Sequence, residues 1–137
     1  MNMEVRRLKE EDYENTLVQW WTDWRWPEPP KKENLPHNGT CGLMVSENGV
    51  DICAGFLFLT NSKTAWVEYI ISNIEVKDRA TRNEAIDRLI NGLSVLAKDQ
   101  GYTNIFTSLQ SVPLMKRYES CGYIKGSVGC TEMVKIL

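Results

Sequence analysis

The chain has 137 residues, 42% hydrophobic and 25% charged, with a formal net charge of −2. That length suits one domain, residues 1–137, with one core, and the composition excludes a disordered or fibrous chain. The charge offers no basic footprint, so nucleic acid is disfavoured as a partner.

No apolar run reaches the length of a membrane span. The charged opening residues have no apolar segment behind them, so neither membrane nor secretory leader is expected and the cytoplasm is. Cys41, Cys53, Cys121 and Cys130 form no C-x-x-C pair and stand beside a single histidine, His37. No metal site is therefore expected, and free thiols are. Cys41 and Cys53 flank one expected hairpin, where two small core residues are a simpler reading than a bridge.

Residues 3–9 read as a first strand. Glu10-Glu11-Asp12 then opens a helix in which Tyr13, Leu17, Trp20, Trp21 and Trp24 recur at helical spacing. Trp26-Pro27-Glu28-Pro29-Pro30 ends it, and a proline-bearing loop follows to Asn38-Gly39. Residues 41–46 and 50–60 are apolar runs joined by Glu47-Asn48-Gly49, a hairpin signal. Asn61-Ser62-Lys63 makes a second turn before the β-rich run at residues 65–71, which completes a three-strand meander.

The helical period returns in Ile86, Leu89, Ile90, Leu93, Leu96 and Ala97, closed by Gly101. Thr81-Arg82-Asn83-Glu84 fits a capping box and places the helix start at Thr81. A strand at residues 102–109, a short helix with Pro113 in its first turn and a closing hairpin at residues 123–136 complete the chain. The order β-α-β-β-β-α-β-α-β makes the fold class mixed α/β with a central twisted mixed sheet. The fourth and fifth strands are parallel by the crossover rule.

Leu114-Met115-Lys116-Arg117-Tyr118-Glu119-Ser120-Cys121-Gly122-Tyr123 is similar to the L-Y-E-K-x-G-F signature of the GCN5-related N-acetyltransferases, the GNAT family. The element order resembles that family's along nearly the whole chain. Residues 5–12 resemble its opening I-R-x-a-x-x-x-D, and Gly101-Tyr102 after the long helix matches by type and spacing. The family's R/Q-x-x-G-x-G/A motif, whose glycines bring helix N-terminal amides onto a diphosphate, is missing. Counted back from Gly101, it would fall on Thr81, Glu84 and Ile86. A preferred register takes residues 71–77 as the family's V-x-P-E-Y-R and leaves Lys77, Arg79 and Arg82 around the helix start. Their side-chain charges then replace the glycine amides, with Asn83 and Ala85 behind them.

The resemblance implies transfer of an acetyl group from acetyl-CoA, as cosubstrate, to an amine on a small molecule or protein. Tyr118 would return a proton to the leaving thiolate. Glu68, which alternation puts on the same face of an apolar strand as Trp66 and Ile70, would serve as base, directly or through water. Backbone groups around Ile71, Ser72 and Asn73 would meet the thioester and its pantetheine arm. Trp24, Arg25 and Trp26 lie where the family builds its acceptor pocket. Each residue has a plainer role available: core packing for Tyr118 and the tryptophans, an ion pair for Glu68, a solvated loop for Lys77 and Arg79. The alternative function is a GNAT-fold binding or assembly module without catalysis. A homodimer is compatible with the sequence.

Overall fold

The computed structural model describes residues 2–137. Strand β1 (Met3–Arg7) pairs antiparallel with β2 (Gly42–Glu47), which pairs with β3 (Val50–Leu59), which pairs with β4 (Thr64–Ser72). Strand β5 (Asn104–Thr107) lies parallel to β4, as the intervening crossover helix requires. The sheet order is β1-β2-β3-β4-β5, a mixed sheet. Asn48 and Gly49 turn the first hairpin with φ of 51° and 81°, the left-handed pair that a two-residue turn demands.

Helix α2 (Arg79–Asp99) covers one face of the sheet. Its Ala85, Leu89, Ile90, Leu93 and Ala97 are buried against Leu43, Val45, Cys53, Leu57 and Val67. Gly101, with φ of 89°, ends it as expected. The start differs from the expected capping box. Asp78 is the N-cap, its carboxylate accepting from the Thr81 amide at 3.0 Å, while Glu84 turns outward to Arg88 at 3.0 Å. An acid in extended conformation just before the first turn caps better than a threonine already inside it.

The opposite face is covered by a π-helical turn, Tyr13–Leu17, running into α1 (Val18–Asp23). Leu17, Trp20 and Trp21 are buried there with Met44, Ala54, Phe56 and Ile71. The helix opens later than Glu10 because Asp12 reaches back, accepting from the Lys9 amide at 2.7 Å. The same carboxylate takes two bonds from the Arg6 guanidinium, at 2.8 and 2.9 Å. Tyr13 donates its hydroxyl to the Pro30 carbonyl at 2.7 Å and tethers the proline-bearing loop.

Burial pushes the Asp12 carboxyl up, but the Arg6 and Lys9 hydrogen bonds and charges outweigh it and hold the group below its usual range. A depressed acid stabilises the fold above its unfolded value, about 3.9, and loses that contribution as pH falls through the folded value. Asp12→Ala should therefore cost about 2–4 kcal/mol at pH 7. Thermal melts should show the gap to the parent narrowing at pH 3.

Helix α3 (Val112–Ser120) begins on the Ser111 cap with Pro113 in its first turn. Tyr123 packs edge-on to Tyr118 at 4.9 Å. The closing hairpin expected at residues 123–136 is not formed. Residues 124–137 carry no strand, and Ile124, Val128, Met133, Val134 and Ile136 are exposed. Gly126 and Gly129 break any alternation there, and β5 is only four residues long, too short an edge to template a partner. Cys41 and Cys53 are both buried free thiols, and burial pushes Cys53 up to about 12.

Candidate functional site

Strand β4 outruns its parallel neighbour. Thr64, Ala65, Trp66 and Val67 pair with Asn104 through Thr107, and the Thr107 hydroxyl closes the ladder on the Val67 carbonyl at 2.8 Å. Beyond that point β4 continues to Ser72 while the chain after β5 turns away into α3. The two strands therefore part at their C-terminal ends, leaving one edge of β4 open.

A bulge shapes that edge. Phe56 pairs with Glu68 and Ala54 with Ile71, so Gly55 alone faces both Tyr69 and Ile70, and Ile70 turns to the α2 side instead of sharing Glu68's face as simple alternation predicts. Tyr69 carries φ of 59°, a costly conformation for an aromatic residue. Gly55 is required opposite it, because a Cβ there would stand 2.9 Å from the Ile70 side chain. Past the bulge the Asn73 amide bonds the Ile52 carbonyl at 2.8 Å, so it faces β3 and is not free. Ladder alternation then turns Ser72 to the open edge, where its carbonyl accepts from the Trp24 indole at 2.8 Å.

A cleft of about 860 Å³ opens along this edge, between β4 and the starts of α2 and α3. Ile52, Cys53, Ile70, Ile71 and Ile86 give it an apolar floor. Its rim holds Arg79, Arg82, Lys116 and Arg117 and no acidic residue. Of these, only Arg117 is ion-paired, with Asp87 at 3.3 Å, among the described residues. Four cations around one opening, in a chain whose net charge is −2, select an anionic ligand with an apolar portion.

Those features suit a phosphate-bearing ligand with an apolar arm. The guanidiniums would meet phosphate, and the arm would lie along the open strand edge. Backbone capture at the α2 N-terminus is weakened, since the Asp78 carboxylate already holds the Thr81 amide and places an acid beside it.

The expected site residues separate into those the cleft gathers and those it does not. Trp24, Trp26, Ile71, Ser72, Arg79, Arg82 and Asn83 line it. Arg25 is exposed with φ of 61° and lies outside the lining, as does exposed Lys77. Ala85 is fully buried in the core, where its side chain reaches no ligand. Lys116 and Arg117, inside the Tyr118 motif, were not assigned from the sequence. Their position one and two residues before the tyrosine on a helix beside the long helix was the available signal.

Glu68 and Tyr118, the expected catalytic pair, are not among the residues lining the cleft; they lie near one another beside the last paired rung of β4 and β5, on opposite faces of the sheet. Glu68 is half-buried and accepts from the Trp66 indole at 2.8 Å. Tyr118 is 2% exposed, within the α2 side of the core. Burial pushes its phenol well above the usual range, Tyr123 and Glu68 add to the rise, and a hydrogen bond with Thr107 opposes it. The hydroxyl therefore keeps its proton across the physiological range, beside the last paired residue of β5.

No protein-family model matches the sequence, and a search of curated proteins finds no relative. Solved structures do match. Glucosamine-6-phosphate N-acetyltransferase from Arabidopsis thaliana is similar with a TM-score of 0.65 over 98% of this chain and 100% of its own, at 12% identity. The ribosomal-protein-S18-alanine N-acetyltransferase from Escherichia coli gives 0.66 over 92% and 80%, at 14% identity. AAC(6')-Iy, solved with the bisubstrate analogue CoA-S-monomethyl-acetylneamine, gives 0.65 over 99% and 100%, at 13% identity. With its sheet order, crossover helix and parted parallel strands, the chain has the GNAT fold.

Proposed function

We propose that the chain is an acyltransferase that moves an acetyl group from acetyl-CoA to an amine in the cytoplasm. The observation that carries this reading is the acid-free rim of Arg79, Arg82, Lys116 and Arg117 over an apolar floor, set where β4 loses its neighbour. The neighbour solved with a coenzyme A analogue supports the same donor.

In this reading Arg79 and Arg82 hold the phosphates, and the open β4 edge at Ser72 orients the arm. Acetyl-CoA supplies the activated acyl group as a substrate. Glu68 takes the first proton from the ammonium of the acceptor, directly or through water, and passes it to solvent. The nitrogen lone pair forms the C–N bond as the C–S bond breaks, and the electron pair leaves on sulfur. Tyr118 delivers a proton to that thiolate, balanced by the second proton released from nitrogen. A thiol titrates near about 8.5, so a buried phenol gives up its proton only to a thiolate that is itself desolvated.

Calorimetric titration with acetyl-CoA at low and high salt tests the reading. Binding should weaken as salt screens the rim, and Arg79→Ala and Arg82→Ala should each lower affinity roughly tenfold. Acetyl transfer to an amine should follow. No heat at millimolar acetyl-CoA with folded protein would leave a GNAT-fold binding module as the reading instead.

A further inference from the structure

The sheet face opposite α2 is covered by α1 and the π-helical turn at Phe56 and Ile71, with Trp26 packed on Tyr69, and among the described residues no helix covers it beyond. Past that cover, Trp66 and Phe106 stack with ring centroids 5.8 Å apart and planes 26° from parallel. They occupy directly paired positions of β4 and β5, one rung before the strands part. Phe106 is 53% exposed. A flat apolar platform beside a reactive opening is uncovered surface that a ligand ring would bury.

Glu68 is the next residue of β4 on this face. Trp66 orients it through one carboxylate oxygen at 2.8 Å, and the other oxygen has no partner among the described residues. Phe58 and Tyr69, 6.1 Å apart, wall the same region. The bulge at Tyr69 sets that ring beside Glu68 instead of across the sheet. The surface therefore combines aromatic faces with the oriented carboxylate of Glu68, and Glu132 in the C-terminal segment adds negative charge near Tyr69. All attract a cation and repel an anion.

Resting on the acyl-transfer reading, we infer that the acceptor is a cationic arylalkylamine. Its ring lies on the Trp66–Phe106 stack and its ammonium meets the free oxygen of Glu68. A short alkyl link then puts the nitrogen at the mouth of the split, on the side opposite the donor's phosphates. Phosphorylated amino sugars and carboxylated acceptors meet the wrong charge here.

Calorimetry with phenethylammonium, butylammonium and phenylacetate tests this, with acetyl-CoA titrated in the same series. Phenethylammonium should bind roughly tenfold tighter than butylammonium, and phenylacetate should not bind. Phe106→Ala should erase that tenfold preference while leaving butylammonium binding and the melting temperature near the parent's, because the ring is half exposed. In turnover, the same variant should raise KM for phenethylamine and spare kcat. Equal affinity for the two amines, binding of phenylacetate, or no heat with phenethylammonium would overturn the inference. Absent heat with acetyl-CoA, beside an intact ring preference, would sink the acyl-transfer reading alone.

Discussion

Replacing Glu68 by glutamine is expected to lower turnover by about 10²- to 10⁴-fold, the range spanned by one general base. The substitution is conservative in the fold. A glutamine carbonyl oxygen still accepts from the Trp66 indole, which the carboxylate holds at 2.8 Å, so the melting temperature should stay near the parent's. What disappears is the capacity to take a proton. The defect should therefore shrink as pH approaches the acceptor's own value, about 10 for an alkylamine, because solvent then supplies the neutral nucleophile. A defect that stayed constant with pH, or a melting temperature that fell with the rate, would assign Glu68 a structural role.

Tyr118→Phe should lower turnover on the order of 10²-fold with the fold kept and most acetyl-CoA affinity retained. Its ring packs edge-on to Tyr123 at 4.9 Å, and phenylalanine preserves that contact. Only the hydroxyl beside Thr107 is lost. If that hydroxyl is a buried structural donor instead, the ordering reverses. Stability would drop by about 1–3 kcal/mol with no selective effect on rate. Melting temperature and transfer rate measured on one preparation separate the two, and unchanged turnover would remove Tyr118 from the chemistry.

What the sequence made legible follows from how local each signal is. The hairpin at Asn48-Gly49, the apolar stripe of α2 and the crossover to β5 rest on short-range patterns, and each appears where those patterns put it. The helix starts were displaced because side chains outside the expected caps competed for the same amides. Asp12 reached back to Lys9, and Asp78 pre-empted Thr81. The closing hairpin had apolar residues without alternation, and composition alone did not give them an edge to pair with. At the cleft, Arg79, Arg82 and Asn83 followed from their place at a helix start. Lys116 and Arg117 did not, because only the docking of α3 beside α2 turns them to the same rim. The Trp66–Phe106 stack was hidden for a related reason. The two residues are forty positions apart and meet only through the parallel register.

The bulge at Tyr69 amounts to a change of phase. Side chains on a strand alternate with period two, so one extra residue exchanges the faces of everything on one side of it relative to the other. In β4 that exchange lets Ile71 enter the core beneath α1 while Glu68, three residues earlier, stays on the same side of the sheet at the rim of the split. An uninterrupted strand would send one of the two to the α2 face, burying a carboxylate or stranding an isoleucine. The left-handed tyrosine, at a cost of about 1–3 kcal/mol, is the local strain that this arrangement accepts.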